Sequence, residues 1–172
     1  MQRIELRKWP FFRSARTKRR AGRETLFAMP EKKTLKRASR DKRSGKSPST
    51  QAGEFVREEM DHIREGKHGA RNTKQAIAIG LSKARRAGVK LAPPKPGTQS
   101  EQTRKKAQRD LEKGASSRKP SRTRSRGVTR ALKREGQSAA SHRALSRQAH
   151  SAAGKRTSAQ RSASAKKAAR AR

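Results

Sequence analysis

The chain has 172 residues, 49 Lys+Arg against 13 Asp+Glu, a formal charge of +36 and only 28% apolar residues. So little apolar surface beside so much charge cannot offset chain entropy across a domain of this length, so a mostly disordered chain with a small all-α element is expected. The absence of cysteine excludes disulfides, thiolate metal sites and a cysteine nucleophile, and no apolar run reaches the ~18 residues of a membrane span.

Residues 1–28, MQRIELRKWPFFRSARTKRRAGRETLFA, hold Trp9, Phe11, Phe12 and Phe27, four of the five aromatics of the chain. They lack the continuous apolar stretch of a secretory signal. An Arg-rich targeting peptide is one reading, and a patch whose aromatics stack on bases is another. The reading adopted is an atypical N-terminal extension, with Met29 as the start of translation. Residues 29–46 follow as a basic arm, MPEKKTLKRASRDKRSGK. Only Leu35 and Ala38 offer it apolar contacts, so any helix there is expected to be isolated and marginal in water.

Residues 47–92 are the one stretch with enough apolar periodicity to ask for a fold. Ser47-Pro48 is a cap followed by proline at the first helical position. Ala52, Phe55, Val56, Met60 and Ile63 recur on one helical face. Glu54, Glu58, Glu59, Asp61 and Glu65 fall mainly on the other, within reach of Arg57 and Arg64. Gly66 ends this helix, and GKHGARN connects it to the next. Asn72 or Thr73 caps the second helix, with Gln75 placed as in a capping box. Ile77, Leu81 and Ala84 form its inner stripe, and the small residues Ala76, Gly80 and Ala87 allow close approach. Gly88 stops it, Val89 follows as the usual apolar residue, and Pro93-Pro94 forbids continuation. The expectation is a helical hairpin, about 48–65 and 73–87, with a core of Phe55, Val56, Met60, Ile63, Ile77, Leu81, Ala84 and Val89. So small a core is marginal alone, which calls for self-association, a protein partner, or folding on nucleic acid.

A Pro-rich linker, 93–97, leads to a Lys/Arg/Ser/Ala-rich tail, 98–172, expected to be disordered in water. Its first part repeats the arm before the hairpin. Thr34-Leu-Lys-Arg-Ala-Ser-Arg-Asp and Thr103-Arg-Lys-Lys-Ala-Gln-Arg-Asp match at a constant offset, and a glycine follows each Asp by four residues, Gly45 and Gly114. The hairpin thus sits between two copies of one basic element. Beyond Ala115 a single acid remains, Glu135. Serines among the arginines are candidate modification sites, because added phosphate would oppose phosphate binding.

Charge of this size points to a polyanion, since each Lys or Arg that neutralises a phosphate releases condensed counterions. The tail lacks the bulky apolar face a membrane-surface helix needs. The residues assigned to nucleic-acid contact are Lys36, Arg37 and Arg40 in the arm and Lys83, Arg85, Arg86 and Lys90 at the end of the hairpin. In the tail they are Arg104, Lys105, Lys106, Arg109, Arg122, Arg124, Arg126, Lys166 and Lys167. Of the histidines, His62 and His68 stand six apart across a helix end, and His142 and His150 lie eight apart in the tail, so no metal site is expected. Glu54, Glu58, Glu59 and Asp61 read as solvated ion pairs rather than acid–base groups. No phosphate-cradling glycine loop is present, and neither a cofactor nor an enzymatic activity is expected.

The blocks Glu54–Arg71, EFVREEMDHIREGKHGAR, and Lys74–Leu91, KQAIAIGLSKARRAGVKL, resemble a family of small basic proteobacterial proteins of unassigned function. Its members are often labelled DNA-binding or plasmid-stabilisation proteins. The likeness runs from Met29 through RDLEKG and KREGQSAAS into the tail, and implies a bacterial, cytoplasmic setting. In composition alone, the tail resembles those of linker histones and tailed histone-like proteins. Together these readings give sequence-independent nucleic-acid binding, DNA before RNA, by an accessory nucleoid-type protein whose hairpin supplies self-association or a protein contact. An RNA- or ribosome-associated protein, and an interaction module acting through 47–92 with localising tails, are the alternatives.

Overall fold

The computed structural model describes residues 29–116 and 121–170, so the expectations for 1–28 lie outside it. These residues form seven α-helices and one short 3-10 turn: α1 (Lys32–Arg43), α2 (Pro48–Arg64), α3 (Thr73–Arg86), α4 (Glu101–Ala115), α5 (Arg122–Lys133), the turn Ser138–Ala140, α6 (His142–Gly154) and α7 (Ser158–Arg170). Among the described residues there is no strand, and no helix is long and apolar enough to cross a membrane.

Local chemistry sets the ends of the central helices. Ser47 accepts from the Thr50 N–H at the start of α2, with Pro48 next to it. Asn72 Oδ1 accepts from the Gln75 N–H at 2.9 Å, while the Gln75 side chain reaches back to the N–H of Arg71, one residue before the cap. Gly66 and Gly88 terminate α2 and α3 at φ +71° and +87°. That conformation lets the N–H of Lys67 bond the His62 carbonyl, and that of Val89 the Ala84 carbonyl. The first of these reversals matters below, because it folds His68 back toward His62.

The two central helices cross where a Cβ on Gly80 would lie 2.7 Å from the Val56 Cα, so no larger residue fits without parting the helices. α1 packs on α2 and α4 on α3, one outer helix to each inner helix. Two apolar clusters result. Phe55, Ala52, Ala84 and Val89 meet Ala38 of α1, with Leu81 and Leu91 at the edge. At the loop end, Met60, Ile63, Ala70 and Ala76 meet Ala139 and Ala140, with Val56, Ile77 and Leu145 beside them. All eight expected core residues therefore sit in or against these clusters, with Val56, Ile77 and Leu81 only half buried.

The segment 132–141 closes the loop end through backbone. The N–H of Gly69 donates to the Leu132 carbonyl (2.9 Å) and that of Ala70 to the Gly136 carbonyl (3.0 Å). A Cβ on Gly69 would strike the Glu135 carbonyl oxygen, so glycine is required for the approach. Arg64 Nε donates to the Ala140 carbonyl and Thr73 Oγ1 to that of Ala139, at 3.1 and 2.7 Å.

The expectation of a mostly disordered chain is thus corrected to an all-helical one over the described residues. Nor do the arms form isolated helices: α1 and α4 each bury an alanine and an aspartate against the hairpin, Ala38 with Asp41 and Ala107 with Asp110. The physical reason is that the small hairpin core is completed within the chain, by outer helices that need only a narrow stripe of small residues. At the far end α6 and α7 have no buried residue among those whose burial is described.

Candidate functional site

Nine carboxylates of the described residues (Glu31, Asp41, Glu54, Glu58, Glu59, Asp61, Glu65, Glu101 and Asp110) are ion-paired to lysines, arginines or histidines of the same chain. Those pairs engage only seven Lys or Arg side chains, so these nine acids are matched internally and the outward face stays strongly cationic.

The residues assigned to nucleic-acid contact divide by position. Lys36 and Arg40 are exposed on α1, and Lys105, Lys106 and Arg109 are exposed on α4. Lys36 and Arg40 are equivalent in the repeat to Lys105 and Arg109, opposite the buried Ala38/Asp41 and Ala107/Asp110, whereas Lys106 is equivalent to Arg37. Lys90, Arg122, Arg124, Arg126 and Lys166 are also exposed, and Lys167 lies on α7. Arg37 is half buried and paired with Glu54, Arg104 lies along Glu101, and Arg86 donates to Asp110 at 2.8 Å. Two assignments need correction on burial. Lys83 is interior, 2.7 Å from Glu59 and 3.6 Å from Glu58. Arg85 is buried and holds the chain leaving α3, donating to the carbonyls of Leu91 and Ala92. Burial lowers the Arg85 pKa, partly opposed by nearby Asp110.

A second site was not legible in the sequence. Glu58 and Glu59, expected on a solvated face, are buried, Glu59 completely. α2 has packing partners on several sides, α1, α3 and the closing segment, so little of its circumference remains for solvent. Around Glu59 the structure assembles His62 at the end of α2, His68 in the following loop and Lys83 of α3. His68 Nε2 is 2.9 Å from Glu59 Oε1, and the Lys83 ammonium lies on Oε2. His68 Nδ1 is 3.0 Å from the Gly69 carbonyl, and His62 Nε2 is 2.8 Å from Glu31 Oε1. The two rings meet edge to face, centroids 6.0 Å apart. Glu31 also meets Lys67, which pairs with Glu65.

The electrostatics follow these contacts. Burial would raise the Glu59 pKa, but the His68 contact and the Lys83 charge outweigh it, and its carboxyl is held below the usual range. Glu31 is lowered by its contacts to His62 and then Lys67. Lys67 is raised, chiefly by its contact to Glu65 and also by Glu31, against an opposing effect of burial. One carboxylate oxygen of Glu59 and one ring nitrogen each of His62 and His68 lie within 4.8 Å of one another. The spacing of six between the histidines hides this, because only the Gly66 reversal brings the second ring back over the first.

Residues 41–96, from the last turn of α1 through α2 and α3 into the Pro-rich linker, match the model of a family of unknown function, DUF6496. That agrees with the resemblance to a family without assigned function, over a shorter stretch than Met29 to the tail. Among curated proteins and among solved structures, nothing matches the chain.

Proposed function

We propose that the chain is a non-enzymatic, largely sequence-independent nucleic-acid-binding protein of the accessory nucleoid type, with duplex DNA as its main partner in a bacterial cytoplasm. The observation that carries this reading is the internal matching of the acids, which leaves a chain of charge +36 with its uncompensated cations directed outward. Helix-borne Lys and Arg without base-reading partners position a protein on phosphate and carry little sequence information. The α1 and α4 repeats present Lys36/Arg40 and Lys105/Lys106/Arg109 on separate helices, and two such patches on one body favour multivalent contact along or between duplexes. The alternative in which the hairpin itself recruits a protein is less supported, because α1, α4 and 132–141 already cover it.

The test is a salt titration of the full-length protein on duplex DNA with structured RNA as competitor. Affinity is expected to fall steeply and linearly on a log–log plot with salt, with RNA displacing the protein poorly. Displacement by equimolar RNA at low salt would move the assignment to RNA. Failure to hold either near physiological salt would overturn it.

A further inference from the structure

The buried Glu59–His62–His68 cluster poses a proton problem that the nucleic-acid reading does not touch. A carbonyl oxygen can only accept, so the 3.0 Å contact to Gly69 places a proton on His68 Nδ1. In the neutral ring Nε2 then carries a lone pair, and it stands 2.9 Å from a carboxylate oxygen of Glu59, itself fully buried. Two like-signed electron-rich atoms at that distance need a cation between them or a second proton on the ring. His62 repeats the pattern: Glu31 accepts from its Nε2, which leaves Nδ1 as the lone pair of the neutral ring. Each imidazole thus has one nitrogen tied to a carbonyl or carboxylate, the arrangement that orients histidines bound to metals and makes them more basic.

Charge balance points the same way. The connected ion cluster contains Glu31, Glu58, Glu59 and Glu65 against Lys67 and Lys83. Carboxylates thus outnumber ammonium groups there by two, an excess that suits a dication.

We propose that Glu59, His62 and His68 are the ligands of a divalent metal site of the zinc type. Two imidazoles and a carboxylate are borderline donors suited to Zn²⁺ rather than to calcium or magnesium, which take all-oxygen shells. Around a tetrahedral ion with bonds of about 2.0–2.1 Å the donors sit roughly 3.3 Å apart. The His68–Glu59 pair is already inside that spacing, and one donor atom from each of the three residues lies within 4.8 Å of the others. The fourth position falls to water, while Glu31 orients His62 from the far side of its ring and Lys83 holds the outer oxygen of Glu59. The ion ties the end of α2 to the loop whose Gly69 and Ala70 hold segment 132–141, so it fixes the docking of the C-terminal half.

The experiment uses full-length protein, freed of nucleic acid by nuclease and high salt and stripped with EDTA. Zn²⁺ is titrated against a chromophoric chelator, and ¹⁵N NMR of the histidine rings is recorded before and after. Expected are one Zn²⁺ per chain with Kd below about 1 µM, and shifts at the ring nitrogens of His62 and His68 only. H62Q and H68Q should each weaken binding ~100-fold or more, and E31Q about 10-fold through its contact to His62. The H142Q/H150Q double variant should bind as the parent does. The ring spectra need no variant and so stand even if a substitution unfolds the chain. A stripped parent that takes up no stoichiometric Zn²⁺ would overturn the site. So would a His68 ring protonated on both nitrogens and unmoved by Zn²⁺, or binding that survives in H62Q and H68Q alike.

Discussion

α1 and α4 carry the same eight-residue pattern, yet the molecule uses its spacing differently in each. Both bury the alanine and the aspartate of the repeat, Ala38/Asp41 and Ala107/Asp110. In α1, Asp41 turns back on its own chain and binds Lys46. In α4, Asp110 reaches across to α3 and accepts from Ser82 at 2.7 Å and Arg86 at 2.8 Å. The trailing glycines differ as well. Gly45 has open space around it and is needed for its φ of +68°, whereas a Cβ on Gly114 would lie 2.2 Å from the Arg85 carbonyl oxygen. A local pattern thus fixes which side chains turn inward, while the neighbouring helix decides what they do there.

The sharpest way to break this comparison is at the shared support. Gly80→Val places a branched side chain against the Val56 backbone and should cost about 3 kcal/mol, detaching both repeats together, seen as one cooperative loss of helical circular dichroism at lower temperature. Next, Gly114→Ala should cost about 2 kcal/mol through the clash with the Arg85 carbonyl. Gly45→Ala should cost only about 1 kcal/mol, the strain of a left-handed backbone. Urea midpoints compare the two, and equal effects would erase the difference between the repeats.

A similar margin separates the aspartates. Asp110→Ala removes two interhelical hydrogen bonds, one to a charged group, and should cost about 2 kcal/mol. Asp41→Ala loses a pair to half-exposed Lys46 and should cost under about 1 kcal/mol. A double-mutant cycle of Asp110 with Arg86 should show coupling, and none with Lys46. The smallest effect on stability is expected for the outward cations. Neutralising Lys36 and Arg40, or Lys105 and Lys106, should leave the melting temperature nearly unchanged. Each set should lower the salt slope of DNA binding by about 2, because two fewer phosphates are neutralised and their counterions stay condensed on the duplex.

Much of the hairpin was legible because its signals are local. Ser47-Pro48, Asn72 with Gln75, Gly66 and Gly88 state where α2 and α3 begin and end, and the observed bounds fall within a residue of those expected. The spacing of Phe55, Met60, Ile63 and Ala84 named the inner faces. Arms rich in Lys and Arg were harder, because their buried stripes, Thr34, Ala38 and Asp41 in α1 and Ala107 and Asp110 in α4, carry almost no hydrophobic signal. Glu58, Glu59 and Lys83 were misplaced for the same reason: charged residue types predict solvent, and only a partner on another element makes their burial affordable.

The sequence by itself determined where the central helices start and stop, which apolar residues face inward, and that the chain carries a net charge of +36. These follow from backbone capping, helical period and summed charge, each a property of neighbours in the chain or of composition. The tertiary structure alone decided that the arms dock rather than hang free. It also decided that Asp41 and Asp110 serve different neighbours, and that Glu59, His62, His68 and Lys83 meet in one buried cluster. Those outcomes depend on helices separated by tens of residues coming within a few ångströms, where a glycine permits the approach and a charge finds its counterpart in place of water.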